Sequence, residues 1–180
     1  MPGDSIDALI QEGMRARRDG DPEAARAAFA KAEAESRRAN DWPGQALALA
    51  GLAQIARDED DFEESLRCYR ATAVIWREQS NPGRLAHSIR HEADVLFELG
   101  RAAEAEPLYV EALALYRTSR TTAPLDLANA IRGYAILTQA KGASEEAIGL
   151  WREARDLYRS VGVEAGAAES ARRLAMLESG

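Results

Sequence analysis

The chain has 180 residues and a net charge of −7, with only two lysines, Lys31 and Lys141, and its arginines are interspersed with Glu and Asp. That balance excludes the concentrated basic face that phosphate binding demands, so no nucleic-acid partner is expected. A lone cysteine, Cys68, excludes an intramolecular disulfide, and no apolar run approaches the ~18 residues of a membrane helix.

The N-terminal Met1-Pro2-Gly3-Asp4-Ser5 lacks the basic and apolar regions of a signal peptide. A reducing, cytoplasmic location is therefore expected, with no membrane association. Alanine, Leu, Glu and Arg dominate the sequence and no stretch alternates with period two, which indicates an all-α chain.

Taken in order, a first helix is expected over 5–18, stopped by Asp19-Gly20-Asp21, and a second over 22–39 opening on Pro22. Pro43 starts a helix over 44–58, and Glu59-Asp60-Asp61 separates it from one over 62–79. Pro82 introduces 83–99, Gly100-Arg101 ends it, and 102–119 follows with Pro107 inside. A proline there removes a backbone donor and crowds the preceding turn, so a kink or a looser first turn is expected. Pro124 opens 125–141, Lys141-Gly142 turns the chain into 144–160, and a final helix covers about 165–178.

These helices pair into a repeat. Phe29, Tyr69, Tyr109 and Trp151 are spaced by 40, 40 and 42 residues. Ala25, Ser65, Ala105 and Ala147 stand four residues before each ring, and Ala32, Thr72, Ala112 and Ala154 three after it. Upstream runs a column of small residues, Gly13, Ala53, Ala93, Ala135 and Ala175. Two helices can cross closely only where one side chain is small, and a neighbouring ring then fills the space beside the crossing. Arg37, Arg77, Arg117 and Arg159 recur near the ends of the second helices, where they can offset the helix dipole.

The pattern Gly13, Gly20, Ala25, Phe29 and Ala32, repeated as Ala93, Leu96, Gly100, Ala105, Tyr109 and Ala112, resembles the tetratricopeptide family in its forty-residue form, similar to kinesin light chain repeats. The resemblance implies a right-handed α-α superhelix of four helix hairpins, about 5–40, 43–80, 82–120 and 124–161, with a capping helix at 164–178, all in one domain over 1–180. The second repeat departs most, with Ser65, Thr72 and Asp60 where Ala, Ala and Gly are usual. The polar residues Glu169, Arg172, Arg173 and Glu178 of the last helix suit a solvated cap closing a complete unit.

In such a superhelix the first helices line a concave groove, which implies a scaffold that binds a protein or peptide. At helical spacing the groove residues are Asp7, Ile10, Met14 and Arg17, then Leu47, Ala50, Gln54 and Arg57, then His87, Arg90, Asp94 and Phe97, then Asn129, Arg132, Ile136 and Gln139. The cap adds Glu169, Arg172 and Met176. Arg90, Arg132 and Arg172 recur at 42 and 40 residues. An arginine fork suits carboxylates, so the column either clamps an acidic side chain or a C-terminal carboxylate beside Asn129, or forms an ion-pair ladder with Asp94 and Glu98.

Two alternatives stay open: a self-associating homo-oligomeric module without peptide ligand, and a metal-dependent enzyme built on His87, His91 and Asp94, which share a narrow helical face. Arg90 between the histidines disfavours a cation, and the carboxylate pairs Asp60-Asp61, Glu63-Glu64 and Glu145-Glu146 sit at helix starts as caps. With no phosphate loop or nucleophile motif, no cofactor and no enzyme activity are expected.

Overall fold

The turns set the period of this structure, a computed structural model that describes residues 5–119 and 121–179. Among the described residues the helices are α1 (Ile6–Arg18), α2 (Pro22–Ala39), α3 (Trp42–Asp58), α4 (Phe62–Glu78), α5 (Pro82–Glu98), α6 (Ala102–Thr118), α7 (Pro124–Ala140), α8 (Ser144–Ser160) and α9 (Glu164–Glu178), with no strand. Three-residue connections join α3 to α4, α4 to α5 and α5 to α6 through one recipe, which α2 and α3 share if the turn is counted from Ala39. The middle residue of each turn is left-handed, as at Asn40, Asp60, Ser80 and Gly100. The next amide then reaches five residues back: Asp41 donates to the Ser36 carbonyl at 2.9 Å and Asp61 to that of Ala56 at 2.8 Å.

That same third residue caps the following helix. The Asp21, Asp41, Asp61 and Asn81 side chains accept from the amides of Ala24, Gly44, Glu64 and Arg84. A 17-residue helix plus a three-residue turn gives 20, and two of them give the forty-residue repeat. The one longer link, 119–123 between α6 and α7, adds two residues and produces the spacing of 42 between Tyr109 and Trp151.

Each helix packs on its sequence neighbours, and α1 also touches α3 while α5 touches α7. Among the described residues no comparable backbone approach joins one even-numbered helix to the next, nor α3 to α5 or α7 to α9, but ion pairs link α3 to α5 and α7 to α9, so the odd helices lie side by side. The rings stand between them. Phe29, Tyr69, Tyr109 and Trp151 are all buried. Phe29 is held from both sides by positions without side chains: a Cβ on Gly13 of α1 would meet its ring at 2.9 Å, and one on Gly51 of α3 at 2.5 Å. Gly133 stands in the same relation to Tyr109 at 2.8 Å. The two polar departures of the second repeat are satisfied, since the Ser65 hydroxyl donates to the Ala53 carbonyl at 2.9 Å and Thr72 to that of Tyr69 at 2.7 Å.

α6 continues through Pro107: the residue is exposed and so is Ala103, whose carbonyl loses its donor to the proline but can be hydrated. Two expectations need correction. Ala175 is exposed, because no helix follows α9 among the described residues to cover it. Ile10 belongs to the core with Leu9 and Phe29 and does not face the groove.

The clamped ring makes two glycine substitutions differ in sign. Gly149 on α8 has open space around it, so Gly149→Ala is expected to stabilise by ~0.5–1 kcal/mol through helix propensity. Gly51→Ala gains the same propensity but drives a Cβ into Phe29, at an overpacking cost of about 1–3 kcal/mol, and is expected to destabilise on balance. Urea unfolding of the two variants decides it, and shifts of the same sign would refute the clamp.

Candidate functional site

Seven of the groove residues expected from the sequence meet in one recess. Arg57, Arg90, Asp94, Phe97, Asn129, Arg132 and Ile136, contributed by α3, α5 and α7, line a cavity of about 370 Å³ together with Glu98, Tyr109 and Gly133. Gly133 opens it, since any side chain there would occupy the space above Tyr109. Gln54 and His87 lie elsewhere, in a second recess nearer α1, and Arg172 is an exposed residue of α9 beside Glu169.

The arginines of the recess are held by carboxylates. Arg90 is buried, donates to Asp94 Oδ2 at 2.9 Å and to His91 Nε2 at 2.7 Å, and leaves its Nε without a partner. Asp94 also accepts from the Tyr109 hydroxyl at 2.7 Å. Arg57 forks onto Glu98 at 3.1 and 2.6 Å, and Arg132 onto Glu169 at 2.6 and 3.0 Å. With Arg17 on Asp58 at 2.8 Å, these pairs join α1 to α3, α3 to α5 and α7 to α9, while Arg90 and Asp94 pair within α5. Burial alone would raise the Asp94 carboxyl, but the hydrogen bond from His91, the Arg90 charge and the Tyr109 hydroxyl outweigh it and hold the group at about 2. The Asn129 amide oxygen accepts from Tyr158 at 2.8 Å, which leaves its NH₂ as a donor beside Arg132.

The histidine pair acts as packing. His91 occupies the position that is Gly51 one repeat earlier and Gly133 one repeat later, and there it stacks on Tyr69 with ring centroids 5.0 Å apart. Its Nε2 faces Arg90 and its Nδ1 lies 3.5 Å from Asp94, so the nitrogens point to protein groups. Among the described residues no group of three or more His, Cys, Asp or Glu has metal-site geometry. The Cys68 thiol is buried, and burial followed by the Glu64 charge pushes it up to about 12, which keeps it protonated and unreactive.

Sequence reasoning missed the Gly51, His91, Gly133 and Arg173 column, which faces the ring of the preceding repeat. Its signal was present as a spacing of 40, 42 and 40, obscured because the residue types share no chemistry. Arg173 lies over the Trp151 ring, 5.8 Å from its centroid.

Comparison with known proteins fits this architecture. Residues 44–118 match the tetratricopeptide repeat family. That span runs from α3 to α6, and the tetratricopeptide fold continues on both sides of it in likenesses to solved structures. BtubC (BKLC) from P. vanneervenii superposes with a TM-score of 0.72 at 14% identity, over 97% of this chain and 80% of that one. The nearly identical TPR-like repeats of a Podosopora anserina kinesin light chain protein give 0.70 at 15%, over 97% and 95%. The apo form of RapI gives 0.79 at 14% over 97% of this chain, which spans about half of the RapI length at 48%. No curated protein matches the sequence. Among the described residues no helix of this solenoid is long and apolar enough to cross a membrane.

The buried histidines give the groove a pH dependence. Burial, aided by the charges of His91, Arg90 and Arg84, pushes the His87 imidazole down to about 3. The unfolded chain takes up that proton below about pH 6.5 while the folded chain does not, so stability is full above that pH and falls toward pH 3. One proton corresponds to a slope of about 1.4 kcal/mol per pH unit at most. Urea midpoints between pH 7 and 4.5 should therefore fall in the wild type and fall less steeply in His87→Gln, with parallel slopes counting against a neutral buried His87.

Proposed function

We propose that this chain is a protein- or peptide-binding scaffold, and that the recess between α3, α5 and α7 takes an extended segment of the partner bearing a carboxylate. The observation that carries this is the convergence of Arg57, Arg90, Arg132, Asn129, Phe97 and Ile136 on one groove cavity. Each of the three guanidinium groups has a carboxylate partner, Arg57 with Glu98, Arg90 with Asp94 and Arg132 with Glu169, so a ligand carboxylate binds here by exchanging with one of these partners. The Arg132 side chain is 40% exposed, where a ligand carboxylate can share or replace Glu169, and the Asn129 NH₂ can hold a backbone carbonyl beside it. Phe97 and Ile136 supply apolar contact on either side. Arg90 is a positioning residue here, since it is buried against Asp94 and His91.

Tetratricopeptide repeats are commonly interaction scaffolds, which agrees with a non-catalytic role. The test is to select peptides on the full chain by display and measure their affinity for wild type and for Arg132→Gln/Asn129→Ala. Loss of two charged or polar donors is expected to weaken binding by roughly 10- to 100-fold while the melting curve stays within a few degrees. Peptides that bind the double variant as well as wild type would place recognition outside this recess.

A further inference from the structure

A second recess of about 380 Å³ lies over Phe29, between α1, α3 and α5, and differs from its neighbours in chemistry. Its floor is apolar: the Phe29 and Trp76 rings, with Leu47 and Ala50 beside Gly51. Gly51 is what exposes that floor, because one repeat later His91 covers the matching ring, Tyr69. Phe29 has no hydroxyl, whereas Tyr109 in the other recess presents an oxygen to Asp94; the uncharged polar residues of this recess are Gln54, His87 and Ser88.

The rim carries Arg17, Arg18 and Arg84, and no carboxylate lines the cavity. Arg17 is held by Asp58, which faces the adjacent space. Arg18 and Arg84 have no ion pair among the described residues, and Arg84 lies over the Trp76 ring, 5.9 Å from its centroid. Such cations gain from an anion in a site partly shielded from water. Along the groove the next space holds Asp58, Asp60 and Glu98, with Arg17 and Arg57 already paired to Asp58 and Glu98, so an acidic chain leaving the recess in that direction meets one more carboxylate than guanidinium. A short ligand avoids that space, and the volume lies at the lower end of small-molecule sites, ~300–1,000 Å³.

We infer that the recess over Phe29 binds a small amphipathic carboxylate, its apolar body on Phe29, Leu47 and Trp76 and its carboxylate between Arg18 and Arg84. The site does not depend on peptide binding in the α3–α5–α7 recess and shares none of the residues altered to test that role.

The experiment uses 1-anilinonaphthalene-8-sulfonate, an apolar anion that fluoresces when removed from water, on the full chain at neutral pH. Wild type should bind it at one saturable site, and decanoate should displace it at least about tenfold better than decyltrimethylammonium, whose charge is opposite. Arg18→Gln/Arg84→Gln removes two exposed charges that pair with no carboxylate, so the fold should be kept while decanoate affinity falls roughly tenfold. Ala50→Trp should fill the recess and abolish reporter binding, with circular dichroism as the check on folding. Equal displacement by both surfactants, or unchanged decanoate affinity in the arginine variant, would overturn the assignment. Tighter displacement by a blocked peptide with Phe between two Asp residues would overturn it too, giving the recess to a partner's side chain.

Discussion

Everything in this solenoid hangs on one contact, a large ring on each second helix gripped between two first helices. Phe29 is buried between Gly13 and Gly51, and Tyr109 stands against Gly133. The ring can be that large only because the opposing positions are that small, and close crossing of the odd helices follows from it. The even helices, with no such ring between them, stay further apart, and the difference curves the stack toward the odd helices. The groove is thus a consequence of core packing. Two of its recesses open where the position over a ring is glycine, and in the space between them His91 covers the Tyr69 ring.

Electrostatics then divides the groove into parts that can exchange partners and parts that cannot. The Arg90–Asp94 pair has side chains 11% and 14% exposed and extra hydrogen bonds to His91 and Tyr109. Removing one member leaves a buried charge, at a cost of ~3–5 kcal/mol, so this pair behaves as framework. The Arg132–Glu169 and Arg57–Glu98 pairs are more open, and pairs of that kind contribute only about 0–1 kcal/mol. A ligand carboxylate competes at little expense there. In the proposed reading, the ion-pair ladder and the acid-binding groove would be the same arginines with different partners.

Much of the architecture was legible in the residues themselves. Pro22, Pro82 and Pro124, the Asp and Asn caps and the turn glycines act within four residues of themselves, so the helix ends fall within two residues of expectation. The ring and small-residue columns were equally readable, because every repeat solves the same packing problem with the same kinds of side chain. Where that repetition stops, the expectation fails. Ala175 continues the column on α9 but no further helix covers it among the described residues, and Pro107 breaks a helix rule at an exposed position where the freed carbonyl can be hydrated.

The sequence alone therefore determined an all-helical repeat, its period, its core columns and the groove positions, since each depends on local propensity or on a pattern reiterated along the chain. Tertiary structure decided the partners: that Arg132 meets Glu169, that Arg57 meets Glu98, that His91 fills a glycine's place over Tyr69 and that Phe29 floors an acid-free recess. Those contacts join residues 22 to 41 positions apart, and which of several carboxylates an arginine reaches depends on how closely the first helices stack. That spacing is fixed by the gripped rings, which helical periodicity can locate on a face but cannot set against one another.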